Sequence, residues 1–390
     1  MTAFPAGFFW GAATSAHQVE GNNTASDWWH LEHAPGFFGD EPSGDACDSY
    51  HRWREDLALL AEAGFNAYRF CVEWSRIEPA PGRISQAHLD YYRTIIETAG
   101  QLGLKPLVTL HHFTSPAWLT AMGGWAHPEA PDRFAAHAAA TAAILDGVSH
   151  ICLINEPNMV ALFPTLMAAG LETLGRSLPA VHPATAEGLV KAHDAARAAL
   201  RERLPRARLG WSIASQTYRP APGAEAAAAA YQRESEDVFY DAAAGDDWIG
   251  VQAYTCRRVK LADGQLVPDP RPDARRTLTG WEYYPAALAE CVRRVAALTG
   301  LPAIVTENGI ATADDAERVA HTGAALDGLA QALNDGVDVR GYFHWSLLDN
   351  YEWGSFAPTF GLVAVDRQTF QRTPKPSLAW LGEYNTQERN

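Results

Sequence analysis

In LINEPN (153–158), Asn155 and Glu156 follow an apolar run that includes Ile151, Leu153 and Ile154, and Glu307 ends a second apolar run in AIVTENG (303–309). A charge at the end of a buried strand is costly unless the strand opens onto a place that uses it. Two such carboxylates facing one another suit cleavage of a glycosidic bond: one attacks the anomeric carbon while the other protonates the departing oxygen. Carboxyl groups about 5–5.5 Å apart give retention of configuration, and groups about 6.5–9.5 Å apart give inversion. Sequence leaves that distance open.

The elements that must position these residues recur along the chain. Short strand-like runs occupy 8–14, 67–74, 106–113, 150–156, 207–213, 248–254, 303–308 and 341–348. Segments with apolar residues at helical spacing lie between them, at 50–64, 87–103, 186–204 and 317–336, several closed by glycine. Such alternation predicts a parallel sheet covered by helices, and eight units favour a closed (β/α)8 barrel, a single α/β domain over residues 1–390. The alanine run 226–230 reads as plain helix. The polar stretch 261–278 reads as a rim loop after the sixth strand.

Barrel sites sit at the C-terminal strand ends, so the polar residues there are candidates. They are Gln18 and Glu20 after strand one, Arg69 and Glu73 on two, and His111 and His112 on three. Asn155 and Glu156 end strand four, Tyr254 strand six, Glu307 and Asn308 strand seven, and Trp345, Asp349 and Glu352 follow on strand eight. Glu156 and Glu307 thus face each other across the mouth. His111 and His112 adjoin, so a strand sends them to opposite faces and only one reaches the mouth.

A formal charge of −15 argues against nucleic acid or an anionic membrane as partner. The start of the chain lacks a basic, long-apolar leader, and no apolar run of spanning length occurs. Five cysteines without zinc spacing suit reduced thiols and a cytoplasmic protein. The fourteen histidines form no HxH or HExxH motif, so neither a metal nor a cofactor is expected.

FFWGAATSAHQVEG (8–21), YRFCVEWSRIEPAPG (68–82), TLHHFTSPAWL (109–119), NEPN, GWEYYPAAL (280–288), VTENGIAT (305–312) and GYFHWSLLDNYEW (341–353) resemble, in order, the signature blocks of glycoside hydrolase family 1, the β-glucosidase family. The resemblance runs from residue 8 to about residue 376. It implies a retaining, two-step hydrolysis of terminal β-D-glycosides, with Glu307 as nucleophile and Glu156 as acid/base. Arg69 and Tyr254 match residues that hold the nucleophile. Gln18, His112, Asn155, Glu352 and Trp353 match residues that grip the sugar hydroxyls, Trp345 matches the stacking floor, and Trp281 matches a residue of the aglycone side. His111, Trp10, Trp28, Trp29, Trp53, Trp118 and Trp380 read as structural.

The chain departs from the family at Gln252 and Ala253, where Asn-Tyr is usual, and at Phe113, where Trp is usual. These changes open space on the aglycone side and remove an N–H donor. The segment GSFAPTFGL after Trp353 lacks the cradle of 6-phospho-glycosidases, and Glu352 would repel a sugar phosphate. The remaining alternatives are galactoside or fucoside specificity, transglycosylation by the same residues, and a non-catalytic carbohydrate-binding barrel. The partner expected is a small β-glycoside, with oligomeric state left open.

Overall fold

The computed structural model describes residues 4–170 and 178–384. Its eight barrel strands are Phe9–Ala13, Ala67–Cys71, Lys105–Thr109, His150–Asn155, Arg208–Ala214, Trp248–Gln252, Ala303–Asn308 and Val339–Trp345, numbered one to eight below. Each pairs in parallel with the next, and strand eight closes on strand one with Phe9 opposite Gly341. The (β/α)8 expectation holds.

Helices cover the outside of such a barrel and side chains fill its inside, so both faces of a strand are buried and the strand sequences read as continuous apolar runs. Phe9, Ala67, Leu107, Cys152, Trp248, Ile304 and Phe343 form the inner cluster. The Phe9 ring meets His150 edge-on at 4.7 Å and Phe343 at 6.1 Å, plugging the end of the barrel remote from the candidate residues. A Cβ on Gly11 would lie 2.7 Å from the Phe343 ring, so only glycine fits beneath that plug. Trp10, Val108, Leu153 and Val305 belong instead to the larger sleeve between strands and helices.

The four helices read from periodicity are present as Ser49–Glu62, Gln86–Gln101, Pro183–Arg203 and Asp315–Asn334. Three start on side-chain caps, with Ser85 Oγ accepting from His88 N–H, His182 Nδ1 from Thr185 N–H and Asp314 Oδ1 from Ala316 N–H. The alanine run lies in the helix Glu225–Gln232.

The expected rim loop 261–278 needs correction. Gln265–Pro268 pairs antiparallel with Cys256–Ala262, which also pairs with Thr217–Pro220 in a small outer sheet. The turn is Asp263-Gly264, both at positive φ, the two-residue geometry that keeps a hairpin's twist. That Asp-Gly signal lay within a polar run without strand-like alternation.

Arg318 anchors the mouth from behind. It is 1 % exposed and donates to the carbonyls of Ile310, Thr312, Thr359 and Phe360 while pairing with Asp315 at 3.0 Å. It thereby ties the loop after strand seven to the one after strand eight. Arg318→Ala strands those acceptors in the interior and is expected to cost about 3–5 kcal/mol, read as a lowered urea midpoint.

Candidate active site

Both glutamates sit where a strand loses register. Pairing of strand four with strand five shifts between Cys152 and Asn155, and pairing of strand seven with strand six shifts between Val305 and Glu307. Such irregularities re-aim a side chain that regular pleating would bury in the barrel or its sleeve. Glu156 then takes a left-handed conformation, φ 45° and ψ 58°, as the cap of the helix Pro157–Ala169. Its N–H donates to Ser212 O at 2.7 Å, and its carbonyl accepts from Met159 and Val160. A non-glycine residue held there stores about 1–3 kcal/mol of strain, tolerated because strand five and the helix fix it from both sides.

Arg69 is fully buried. Its Nη1 donates to Glu307 Oε1 at 2.5 Å and to Thr306 O at 3.3 Å, and its Nη2 donates to Asn155 Oδ1. The other Glu307 oxygen accepts from the Tyr254 hydroxyl at 2.7 Å. Gln252 adds a second donor to Asn155 Oδ1 at 2.8 Å. The amide oxygen of Asn155 is therefore held by protein, and its Nδ2 turns to His112 Nε2 at 3.4 Å.

The two carboxyls sit in unequal surroundings. Burial raises Glu307 above the usual carboxylate value, and Arg69 and the Tyr254 hydrogen bond offset only part of that rise. Burial and the charge of Glu307 push Glu156 well above the usual carboxylate value, with Arg69 a weaker counterweight. The pair is thus graded, with the proton on Glu156 and the charge on Glu307. Glu352 is pushed up to about 8 by burial, against the Trp345 hydrogen bond and with the Glu307 charge adding to the rise.

The remaining expected residues line the same mouth. Trp345 Nε1 donates to Glu352 Oε1 at 3.0 Å, and its ring lies 5.7 Å from His112 at 19°. Gln18 accepts from Ser15 and donates to Tyr351 O at 2.7 Å and Asn350 Oδ1 at 3.0 Å, binding the first strand's loop to the eighth's. Burial and Arg69 push His112 well below the usual histidine value, so its ring is neutral. Trp281, 41 % exposed, stands 5.5 Å from the Tyr254 ring. A Cβ on Gly309 would lie 2.1 Å from Trp345 O, which explains the glycine of TENG: the backbone after Glu307 packs closely against the backbone of Trp345.

The model of glycosyl hydrolase family 1 matches residues 1–246 and 240–390. The chain belongs to glycosyl hydrolase family 1. It is a glycoside hydrolase. Among relatives, beta-glucosidase A of Thermotoga maritima is 31% identical, with 97% of this chain and 96% of the relative covered. A crystal structure of a beta-glycosidase superposes with a TM-score of 0.90 at 42% identity, covering 99% of this chain and 97% of that one. The Thermotoga maritima beta-glucosidase in complex with noeuromycin gives 0.91 at 29% identity, over 100% and 99% of the two chains.

Several rim candidates do other work in this family 1 barrel. Asp349 pairs with Lys375 at 2.7 Å, Glu20 pairs with Arg76 at 2.7 Å, and Glu73 accepts from Thr114 at 2.7 Å. Asn308 donates to Ala253 O at 2.7 Å. His111 bonds Ser115 and packs edge-on against Trp125, as its structural reading requires.

Sequence reasoning missed the support of Trp353. His17 lies parallel to that indole at 5.8 Å, and Trp28, read as plain core, packs on it at 4.6 Å. Asn23 Nδ2, which only donates, is 3.3 Å from His17 Nδ1, so the His17 proton sits on Nε2 and donates to Glu32 Oε1 at 2.6 Å. Ser43 gives Glu32 two more hydrogen bonds, through its N–H and its hydroxyl. Burial alone would raise the Glu32 carboxyl, but these donors outweigh it and hold it below its usual value. A histidine beside a known motif residue and a glutamate fifteen positions on carry no pairing signal in sequence. His17→Phe keeps the ring stack and removes one of the hydrogen-bond donors to Glu32. It is expected to cost about 1–3 kcal/mol in urea unfolding and to raise KM for a glycoside more than it lowers kcat.

Proposed function

We propose that the protein is a retaining β-glucosidase that hydrolyses terminal non-reducing β-D-glucosides, with Glu307 as nucleophile and Glu156 as acid and base. The observation that carries this reading is the inequality of the two carboxyls: Arg69 and Tyr254 hold both oxygens of Glu307, whereas Glu156 carries its raised pKa beside that charge. Family membership, with beta-glucosidases among the relatives, supports the sugar class and the retaining course.

In the first step a Glu307 oxygen bonds to the anomeric carbon while the bond to the leaving oxygen breaks and Glu156 passes its proton to that oxygen. Esterification removes the Glu307 charge, one of the causes that raise Glu156. The acid thereby becomes a base, takes a proton from water, and the hydroxide oxygen displaces Glu307. Two inversions restore the starting configuration. Asn155, with its oxygen fixed by Arg69 and Gln252, offers its N–H group to the sugar beside the reacting carbon. Gln18, His112, Glu352 and Trp353 bind the other hydroxyls, and Trp345 stacks beneath the ring. All five cysteines are free and buried, which supports a reducing, cytoplasmic setting.

Glu307→Gly is expected to abolish hydrolysis of an aryl β-glucoside and, with azide added, to yield the α-glucosyl azide by one inversion; full activity in that variant would end the assignment. In the wild type, kcat/KM is expected to fall as pH drops through the Glu307 pKa and again as pH rises through the higher Glu156 pKa. Glu156→Gln is expected to lose the alkaline limb, measured with an activated aryl glucoside, and to slow poor leaving groups by about 10²–10⁴-fold.

A further inference from the structure

The small outer sheet and the loop after it, 217–220 and 256–276, hold seven cationic side chains in a protein whose formal charge is −15. Five of them pair with carboxylates: Arg219 with Glu290, Arg258 with Glu282, Lys260 with Asp269, Arg271 with Asp273 and Arg275 with Glu317. Arg276 donates only to the carbonyls of Gly280 and Arg271. Arg257, half-buried, has no hydrogen bond or ion pair among the described residues. The two cations without a carboxylate both line one trough of about 610 Å³, which Tyr254 and Trp281 also line.

The acidic side chains of that trough leave this charge uncompensated. Glu282 is taken by Arg258, whose Nε and Nη2 hold both of its oxygens at 2.8 Å. Glu236 is 1 % exposed, and its Oε1 has no partner among the described residues. Burial pushes its carboxyl up to about 8, against the Gln232 hydrogen bond and the Arg294 charge. At neutral pH it therefore offers a hydrogen-bond donor in place of a repelling charge. Tyr218 stands opposite Arg257 in the parallel register, and its ring meets Tyr231 edge-on at 5.8 Å, so aromatic rings stand beside the cation.

We propose that Arg257 selects leaving groups that carry a carboxylate, so that β-glucosides of acidic phenols or alcohols are the favoured substrates; this rests on the function proposed above. A guanidinium fork matches the two oxygens of a carboxylate, and Arg257 has its donors free to make that match. Its position sets the length of the occupant. Arg257 lies three residues beyond Tyr254, whose hydroxyl holds Glu307, and three residues span about 11 Å at most. One aromatic ring with a short acid arm bridges that distance, passing Trp281 on the way.

The test compares 4-(2-carboxyethyl)phenyl β-D-glucoside with its carboxamide at pH 7 and low ionic strength, where the acid is ionised. The two phenols leave with nearly the same chemistry, because the ethylene arm insulates them, and the substrates differ in one charge. The wild type is expected to prefer the acid by at least about tenfold in kcat/KM, mainly through KM, the size of one charge-assisted hydrogen bond. Arg257→Gln is expected to bring the ratio of the two substrates to within about twofold of unity. Arg271→Gln removes the same charge from the same face outside the trough and is expected to keep the wild-type ratio. A wild-type ratio near one, a preference that survives Arg257→Gln, or one lost in Arg271→Gln overturns the inference, while turnover of the carboxamide upholds the functional reading. Absence of hydrolysis of both glucosides by the wild type overturns both.

Discussion

A guanidinium with no solvent exposure cannot remain charged without partners, and the partners of Arg69 determine the centre of this molecule. It reaches from strand two to Glu307 and Thr306 on strand seven and to Asn155 on strand four. One buried cation therefore places the Glu307 carboxylate and the Asn155 amide in a common frame. Strand closure brings these strands around the same axis, and Arg69 locks their ends together. Removing it would leave Glu307 charged and desolvated, with only a phenol to answer it.

Around that cation, protein contacts do what solvent would otherwise do. Asn155 Oδ1 is occupied twice, Gln18 is bonded to the eighth strand's loop, and Trp353 rests on a ring fixed by a buried His17–Glu32 pair. Groups restrained in this way need little reorganisation when a sugar arrives, which is where preorganised polar sites gain their advantage. The Gln252 departure fits this pattern, because the longer amide reaches Asn155 across the barrel from strand six.

Much of the fold was legible because parallel strands covered on both faces leave uninterrupted apolar runs, and because covering helices keep their 3.6-residue period. The two strand-end glutamates stood out for the same reason, as charges terminating such runs. What sequence did not reveal were contacts between distant residues and shifts within a strand. The slips before Asn155 and Glu307 have no residue signature. Glu32 and His17 carry no signal of their own in the sequence, Trp28 reads as core, and Glu20 and Asp349 read as polar residues at the mouth. Their partners, Arg76 and Lys375, come from elements that only folding brings near. The hairpin turn at Asp263-Gly264 was hidden by the polarity of its surroundings.

Between strand four and strand seven lie two intervening strands in the closed order, each spaced about 4.8 Å from its neighbour. The separation of Glu156 and Glu307 is accordingly set by the barrel's circumference, by the two register slips and by the helix that Glu156 caps, and the more distant rim segments stand apart from it. Evolution can therefore lengthen, trim or replace the rim segments that select a leaving group while the stereochemical course is inherited unchanged. A lineage built on such a frame diversifies in its clientele long before it alters its reaction.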